Sequence, residues 1–203
     1  MKGIDLVRKL QKINKPFYTV TDLEKITGLP RNSLYVALER WAAAGILERV
    51  AQGIYIPVGG MISIENVAAQ LYIPSYLSFE SALSKYGILN LIPYTMTFAT
   101  TRKTRKYTIQ GKEIEFRKIS PKLFFGFEMK NGIYIASPEK AFLDQIYFVA
   151  RGKAALDLDE LDLGKLSIKA LRNYGKRFPG YVRSRIESII PHSVEDIKAF
   201  EKK

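Results

Sequence analysis

Cysteine is absent from the 203 residues of this chain, and histidine occurs only once, as His192. Without cysteine, neither disulfide bonds nor thiolate metal sites can form. A zinc site would have to be built almost wholly from carboxylates, which zinc sites in proteins rarely are. We therefore expect no metal and no other cofactor.

Long apolar runs are also missing, and none approaches the length of a membrane span. The N-terminus carries Lys2, Asp5, Arg8 and Lys9 within its first turns, which a secretory signal peptide would not. We therefore expect a cytoplasmic protein that works at the nucleoid and does not contact the membrane.

Recognisable catalytic motifs are lacking as well. The sequence contains neither a phosphate-binding GxxxxGK[ST] loop nor a GxGxxG motif after a strand. The acid-x-Lys match at 196–198 falls in a predicted helix, where a surface ion pair is expected. An acidic string lacks the spacing of a calcium loop: Asp157, Asp159, Glu160 and Asp162. These absences predict a protein that is not an enzyme, and they disfavour a metal-dependent nuclease.

Positive charge is abundant. Lysine and arginine exceed aspartate and glutamate by 12, and the isoelectric point is about 9.7. Such a balance favours a polyanionic partner, because neutralising phosphates releases counterions. Residues 1–60 carry a net charge of +4 and the remainder carries +8, so the excess is spread along the chain.

Residues 20–55 predict two short helices followed by a β-hairpin. Thr21 or Asp22 is positioned to cap the first helix, and Gly28 is positioned to end it. Leu29-Pro30 predicts a sharp turn, because proline cannot continue a helix.

The second helix begins at about Arg31 and carries apolar residues at helical spacing, which predicts that one stripe of the helix is buried. Two strands at 47–50 and 54–56 follow, around a turn at Gly53. With a helix at 4–13 and a short strand at 17–19, residues 1–58 predict a winged helix-turn-helix domain.

A helix that reads the major groove presents short polar and cationic groups at its start. We predict that Asn32 reads adenine and Arg31 reads guanine. The other residues of the predicted DNA-binding set would contact further base edges, phosphates or the neighbouring minor groove. The full predicted DNA-binding set is Thr19, Thr21, Arg31, Asn32, Ser33, Tyr35, Val36, Arg40, Arg49, Gln52 and Tyr55.

The second part of the chain predicts an α+β domain over residues 61–203 with a helical C-terminal segment. Gly59 and Gly60 mark the boundary, and Asn131-Gly132 is a strong hairpin signal. Ser63, Ser78 and Ser137 would cap helices. The predicted helices are 64–71, 79–86, 138–149, 165–174, 181–190 and 194–200, and the strands are 95–100, 106–109, 113–119, 127–129 and 133–136.

Two segments carry a family resemblance. YLSFESALSKYGILNLIP at 76–93 and IASPEKAFLDQIYF at 135–148 resemble the signature segments of AbiEi-type antitoxins of type IV (abortive infection) toxin–antitoxin systems. In that family a winged helix-turn-helix precedes a mixed antitoxin domain, in the order predicted here. The resemblance weakens after about Tyr147.

The resemblance implies two activities. The N-terminal domain would bind inverted repeats in the promoter of its own operon and repress it. The C-terminal domain would neutralise a nucleotidyltransferase-like toxin, directly or indirectly. The spacing of Phe79 and Leu83, and of Phe142 and Ile146, predicts that the apolar positions of both segments are structural rather than contact residues.

Two cationic clusters are candidate partner surfaces. We expect the first to form a hairpin tip and the second to lie on one helix face, because four cations of the second cluster recur at helical spacing. The first cluster is Arg102, Lys103, Arg105 and Lys106, and the second is Lys165, Lys169, Arg172, Lys176, Arg177, Arg183 and Arg185. Either could track nucleic acid or an acidic toxin face, or could simply be solvated.

The leading hypothesis is therefore a DNA-binding antitoxin that represses its own operon, with promoter DNA and a toxin as partners and no small-molecule ligand. One alternative is a toxin-binding module whose winged domain mainly contacts protein. Another is a winged-helix transcription regulator without antitoxin activity.

Overall fold

The computed structural model describes residues 3–59 and 63–189. These residues form a mixed α+β fold with two sheets. The chain divides into two compact units, one of residues 3–59, 63–71 and 107–112 and the other of residues 72–106 and 113–189. His192, the acid-x-Lys match at 196–198 and the helix predicted at 194–200 lie outside the described residues.

The first unit opens with three helices around a very short strand and continues into a hairpin and a fourth helix. Its elements are α1 Gly3–Ile13, β1 Tyr18–Thr19, α2 Val20–Thr27, α3 Arg31–Ala43, β2 Leu47–Ala51, β3 Ile54–Pro57 and α4 Ile64–Leu71. The strands form an antiparallel sheet in the order β1-β3-β2, with a register shift between Arg49 and Ala51. The helix and strand positions agree closely with those expected from the sequence.

The core of the first unit comes from one face of each helix. Leu6 and Leu10 of α1 are fully buried, and so is Leu23 of α2. They pack in one apolar cluster with the buried stripe of α3 and with the sheet residues Tyr18 and Tyr55. The burial of these side chains supplies most of the free energy that holds the three helices together.

The second unit and residues 107–112 together contain six strands and at least three helices. These elements are β4 Ser75–Leu77, α5 Phe79–Lys85, β5 Met96–Thr100, β6 Arg105–Ile109, β7 Lys112–Lys118, β8 Phe127–Lys130, β9 Ile133–Ala136, α6 Pro138–Val149 and α7 Ile168–Gly175. Residues 180–189 are also helical. Short 3-10 turns lie at Pro121–Leu123 and Leu163–Lys165.

The six-stranded sheet has the strand order β6-β7-β5-β4-β9-β8. Strand β4, which the sequence did not predict, pairs antiparallel with β5 and parallel with β9. Strand β5 also pairs parallel with β7. Helix α5 packs against β5 and α6, and α6 packs against α7. Helix α6 therefore lies inside the unit, with neighbours on several sides.

Candidate functional site

Helix α3 has one buried stripe and one exposed face. Leu34, Ala37, Leu38 and Trp41 are each at most 5% exposed, as expected from their spacing. The opposite face is exposed along the whole helix. It consists of Arg31, Asn32, Ser33, Tyr35, Val36, Glu39 and Arg40. Helix packing therefore leaves the predicted base-reading residues accessible to a partner.

The start of α3 is open. Gly28 ends α2 in the left-handed conformation with φ 70°, and Leu29 and Pro30 complete a turn of three residues. Pro30 occupies the N-cap of α3, and no side chain among the described residues caps this helix. Its first turn also contains no acidic residue. The partial positive charge at the N-terminus of α3 is therefore not offset by a carboxylate of its first turn.

Arg31 and Tyr35 lie one turn apart on this face. The pKa of Arg31 is raised by its interaction with the Tyr35 hydroxyl and, to a smaller extent, by the nearby carboxylate of Glu24. Tyr35 is 45% exposed and Val36 is 71% exposed. The face is therefore cationic at its start and partly apolar one turn later.

A groove of about 370 Å³ separates α3 from the β2–β3 hairpin. Tyr35 and Glu39 line it from the helix, and Arg49 and Gln52 line it from the hairpin. Tyr55 differs from its prediction as an exposed phosphate contact. It is only 6% exposed, because it points into the core from a strand paired on both sides.

Thr19 has a structural role as the N-cap of α2. Its hydroxyl accepts a hydrogen bond from the backbone N–H of Asp22 (3.1 Å), and the Asp22 carboxylate accepts one from the backbone N–H of Thr19 (2.9 Å). This capping box corrects the expectation that Thr21 or Asp22 is the N-cap of α2. Burial opposes the charge of Asp22, but hydrogen bonds from Lys15 and Thr19 outweigh it and lower its pKa to about 2. Thr21 is exposed in the first turn of α2.

The first basic cluster, Arg102, Lys103, Arg105 and Lys106, is exposed but does not sit at a hairpin tip. It belongs to the connection from β5 to β6 and to the start of β6, and β7 lies between these two strands in the sheet. The Arg102 guanidinium lies 4.3 Å from the centre of the Tyr72 ring and donates a hydrogen bond to the carbonyl of Ile73 (3.2 Å). The hairpin expectation was wrong because sequence neighbours need not be sheet neighbours.

The second basic cluster does not form a continuous helical face. Lys165 ends a 3-10 turn, Lys169 and Arg172 lie in α7, and Lys176 follows the last residue of α7. All seven cations of the cluster are exposed, including Arg177, Arg183 and Arg185. The predicted shared face fails because the chain leaves the helical conformation before Ile168 and again after Gly175.

Several cations of this second cluster have partners. Lys165 pairs with Asp162 (3.2 Å), and Arg172 pairs with Glu187 (3.4 Å). The Arg177 guanidinium stacks on Phe125, with its central carbon 3.6 Å from the ring centre. These contacts reduce the charge that the cluster offers to a partner.

The two signature segments contribute mainly to the core. Phe79, Leu83, Phe142 and Ile146 are each at most 1% exposed, which confirms the structural interpretation of these positions. The end of the first segment is an exception to this structural interpretation. Leu91 is 53% exposed and Ile92 is 90% exposed, because they lie in the irregular connection between α5 and β5.

The second segment also contains a buried polar network that the sequence analysis missed. Lys140 forms an ion pair with Asp144, and both side chains are fully buried. The Asp144 carboxylate also accepts hydrogen bonds from the hydroxyls of Tyr76 and Ser78, each at 2.9 Å. Ser78 therefore occupies an N-cap position without capping α5 through its side chain.

Burial governs the titration of this network. Desolvation lowers the pKa of Lys140 and raises the pKa of Asp144, while their ion pair opposes both shifts. The Lys140 ammonium lies 5.1–5.3 Å from the ring centres of Tyr76, Phe125 and Phe178. A side chain at Gly126 would meet Lys140, since a Cβ there would lie 3.1 Å from Cγ. The network is a packed core element rather than an accessible site.

In residues 3–59 and 63–189 we find no group of three or more metal-ligating side chains that could hold a metal ion. None of the described helices combines the length and the apolar character needed to cross a bilayer. No protein-family description and no curated protein matches this chain. The resemblance to AbiEi-type antitoxins therefore stays a prediction.

Proposed function

We propose that the first unit is a winged helix-turn-helix that binds double-stranded DNA, and that the protein is an antitoxin repressing its own operon. In this proposal α3 enters the major groove at inverted repeats of the promoter, and the β2–β3 hairpin is the wing. The second unit neutralises a nucleotidyltransferase-like toxin.

The arrangement of α2 and α3 supports the DNA-binding part of the proposal. A three-residue turn containing a left-handed glycine joins them, which is typical of helix-turn-helix motifs. The hairpin that follows α3 carries the exposed Arg49 and Gln52 beside the groove. These residues would hold phosphates or reach the adjacent minor groove.

The observation that carries the proposal is the exposed face at the start of α3. Arg31, Asn32 and Ser33 are all exposed in its first turn, where neither a side-chain cap nor a first-turn carboxylate competes with a phosphate for the N–H groups, as far as the structure describes the chain. Arginine and asparagine are the side chains that read guanine and adenine by paired hydrogen bonds. Arg40 extends the cationic edge farther along the helix.

The antitoxin part depends on the family resemblance and on the exposed surfaces of the second unit. The segments that carry this resemblance build the core, which leaves the contact surface to other residues. The exposed cations at 102–106 and in 165–185 are the proposed contacts to an acidic toxin face or its nucleic-acid substrate.

A second candidate function is supported by one feature of the same helix. Val36, at 71% exposure, and Tyr35, at 45%, form an apolar patch on α3. Such a patch suits a protein partner as well as thymine methyl groups. In this alternative the first unit contacts the toxin instead of DNA. A third alternative keeps DNA binding and lacks antitoxin activity.

Fluorescence anisotropy with upstream promoter DNA and with random DNA, in a salt series, tests the DNA-binding proposal. We expect preference for the promoter and a steep fall of affinity with salt, because phosphate contacts release counterions. Equal, weak binding to both duplexes would favour the protein-binding alternative.

Co-expression of this chain with a nucleotidyltransferase-like toxin encoded in the same operon tests the antitoxin part. We expect rescue of growth by the wild type and also by the variant Arg31→Ala, because this change affects only the proposed DNA interface. No rescue by a folded wild-type chain would refute the antitoxin role while leaving DNA binding intact.

A further inference from the structure

The second unit contains a pocket of about 520 Å³ that the sequence analysis did not anticipate. Strand β7 contributes Arg117 and Lys118 to it, and the last turns of α6 contribute Tyr147 and Phe148. Arg151 and Lys153, just after α6, complete the cationic side. Its volume lies within the range of about 300–1,000 Å³ that small-molecule sites occupy.

The chain folds so that the residues after α6 return to the pocket. Gly152 adopts a left-handed conformation with φ 65°. The backbone N–H of Lys153 then donates a hydrogen bond to the carbonyl of Phe148 (2.9 Å). This turn places Arg151 and Lys153 beside the pocket wall that Phe148 forms.

Arg117 does not contribute excess charge to the pocket. Its guanidinium is ion-paired with Glu80 and with Glu115, each at 2.8 Å. Glu115 also lies 3.9 Å from Lys106. The one carboxylate that lines the pocket is therefore already held by two cations.

Lys118, Arg151 and Lys153 differ from Arg117. All three are exposed, and among the described residues none of them has a carboxylate partner. Three cations around one concave site produce a local positive potential that favours a multiply charged anion. A phosphate group fits this requirement best.

A neutral residue, Tyr147, holds the side chain of Arg151 in place. Its guanidinium donates a hydrogen bond to the Tyr147 hydroxyl (2.8 Å), and its central carbon lies 5.0 Å from the centre of the same ring. A guanidinium has five N–H donors in a fixed plane, so most remain directed elsewhere. Such a planar fork matches the geometry of phosphate oxygens.

The apolar side of the pocket is formed by the exposed edges of Tyr147 and Phe148, which are 8% and 6% exposed. The rings of Tyr147 and Phe148 are in edge contact, with centres 5.8 Å apart. Ser120 also lines the pocket. A ligand that is anionic at one end and planar at the other would satisfy both sides.

We propose that this pocket binds a nucleoside phosphate, with its phosphate against Lys118, Arg151 and Lys153 and its base along Tyr147 and Phe148. The nucleotide is either free or the phosphorylated end of a nucleic acid. The proposal departs from the expectation that no small molecule binds. It also stands apart from DNA binding by the first unit, so either can fail without the other.

Isothermal titration calorimetry on the full chain tests the proposal, with AMP, adenosine and inorganic phosphate as probes. We expect AMP to bind more tightly than inorganic phosphate, and adenosine to bind at least roughly tenfold more weakly than AMP, because it lacks the charged hydrogen bonds. A 5′-phosphorylated RNA trinucleotide distinguishes the sources. Tighter binding than AMP assigns the pocket to a nucleic-acid end, and weaker binding assigns it to a free nucleotide.

The variants Arg151→Ala and Lys118→Ala should each weaken AMP binding by roughly tenfold or more. Lys130→Ala is the matched control, because Lys130 is an exposed cation of the same unit outside the pocket and outside both basic clusters. Far-UV circular dichroism verifies that each variant is folded. The proposal is overturned if the wild type does not bind AMP, if inorganic phosphate binds as tightly as AMP, or if the control weakens binding as much as the two pocket variants.

Discussion

Helices α3 and α6 both begin beside a proline, yet they have opposite surroundings. Pro30 is the N-cap of α3 and Pro138 is the first residue of α6. Helix α3 buries one stripe and exposes the rest, whereas α6 is buried continuously from Lys140 to Phe148. The Ser137 hydroxyl caps α6 by accepting a hydrogen bond from the N–H of Lys140 (3.2 Å), while no described side chain caps α3.

This difference indicates that α6 mainly maintains the fold, whereas α3 is available to a partner. In α6 the first turn is capped and the buried charges of Lys140 and Asp144 are paired inside the unit, so only its last turn, with Tyr147 and Phe148, is left for a ligand to contact. In α3 the first N–H groups and the polar side chains face outward. We infer that partners bind where backbone N–H groups and polar side chains are not already hydrogen-bonded within the protein.

The largest expected effect comes from breaking the ion pair of α6. Lys140→Met would leave the buried Asp144 carboxylate without its counter-charge, and we expect a loss of about 3–5 kcal/mol in the free energy of unfolding. Urea denaturation followed by far-UV circular dichroism measures this loss. Arg40→Met on the exposed face of α3 is the matched control and should leave the midpoint unchanged.

A double variant sharpens this prediction. Lys140→Met with Asp144→Asn removes both charges and keeps an oxygen to accept from Tyr76 and Ser78. We expect it to recover at least half of the lost stability, because the buried uncompensated charge is gone. A cost of Lys140→Met below about 1 kcal/mol would contradict the view that the pair is part of the core.

The next effect concerns the open face of α3. Arg31→Ala should weaken binding to promoter DNA by roughly tenfold and leave random DNA nearly unaffected, because only a base contact is lost. Arg49→Ala in the hairpin should weaken both duplexes alike, as expected for a phosphate contact. Anisotropy titrations with the two duplexes measure both variants. Equal loss on both duplexes for Arg31→Ala would remove its base-reading role.

The capping box of α2 predicts a pH effect on the first unit. The pKa of Asp22 falls from its ordinary value of 3.8 to about 2 on folding, so its contribution to stability is complete above pH 4. It is lost as the pH falls from 4 to 2, because the unfolded form takes up a proton in this range while the folded form stays ionised until about pH 2. We expect Asp22→Ala to cost about 1–2 kcal/mol at pH 7 and almost nothing at pH 2.

The single tryptophan provides the measurement. Trp41 is 2% exposed in the core of the first unit, so its fluorescence follows the unfolding of that unit. Urea titrations of the wild type and of Asp22→Ala at several pH values give the difference in stability. If this difference does not change with pH, the carboxylate of Asp22 is not the source of the effect.

The sequence predicted helices better than it predicted the partners of individual residues. Helix α6 was placed correctly because Ser137 and Pro138 mark its start by local chemistry. Helix α3 was placed correctly because Gly28 and Pro30 end α2 and set the turn. Each of these signals acts within four residues of chain, where sequence order and spatial proximity coincide.

Features set by sheet topology were missed. Strand β4 is three residues long and entirely buried, so it has no alternation to detect. The sequence predicts a hairpin tip at Arg102, Lys103, Arg105 and Lys106, because β5 and β6 are neighbours along the chain, but β7 separates these strands in the sheet. Lys140 and Asp144 have the spacing of a surface ion pair, and only the fold brings Tyr76 to them. The pocket likewise joins β7 to α6, which no local pattern connects.

The smallest expected effect compares the serines at the two helix starts. Ser137→Ala removes the cap of α6 and should cost about 1 kcal/mol of stability, measured by urea denaturation followed by circular dichroism. Ser33→Ala in the first turn of α3 removes an exposed hydroxyl that caps nothing in the described structure, so Trp41 fluorescence should show no change. Its effect should appear instead as weaker binding to promoter DNA. If Ser33→Ala destabilised the first unit as much as Ser137→Ala destabilises the second, the start of α3 would be structural, and the distinction between the two helices would fail.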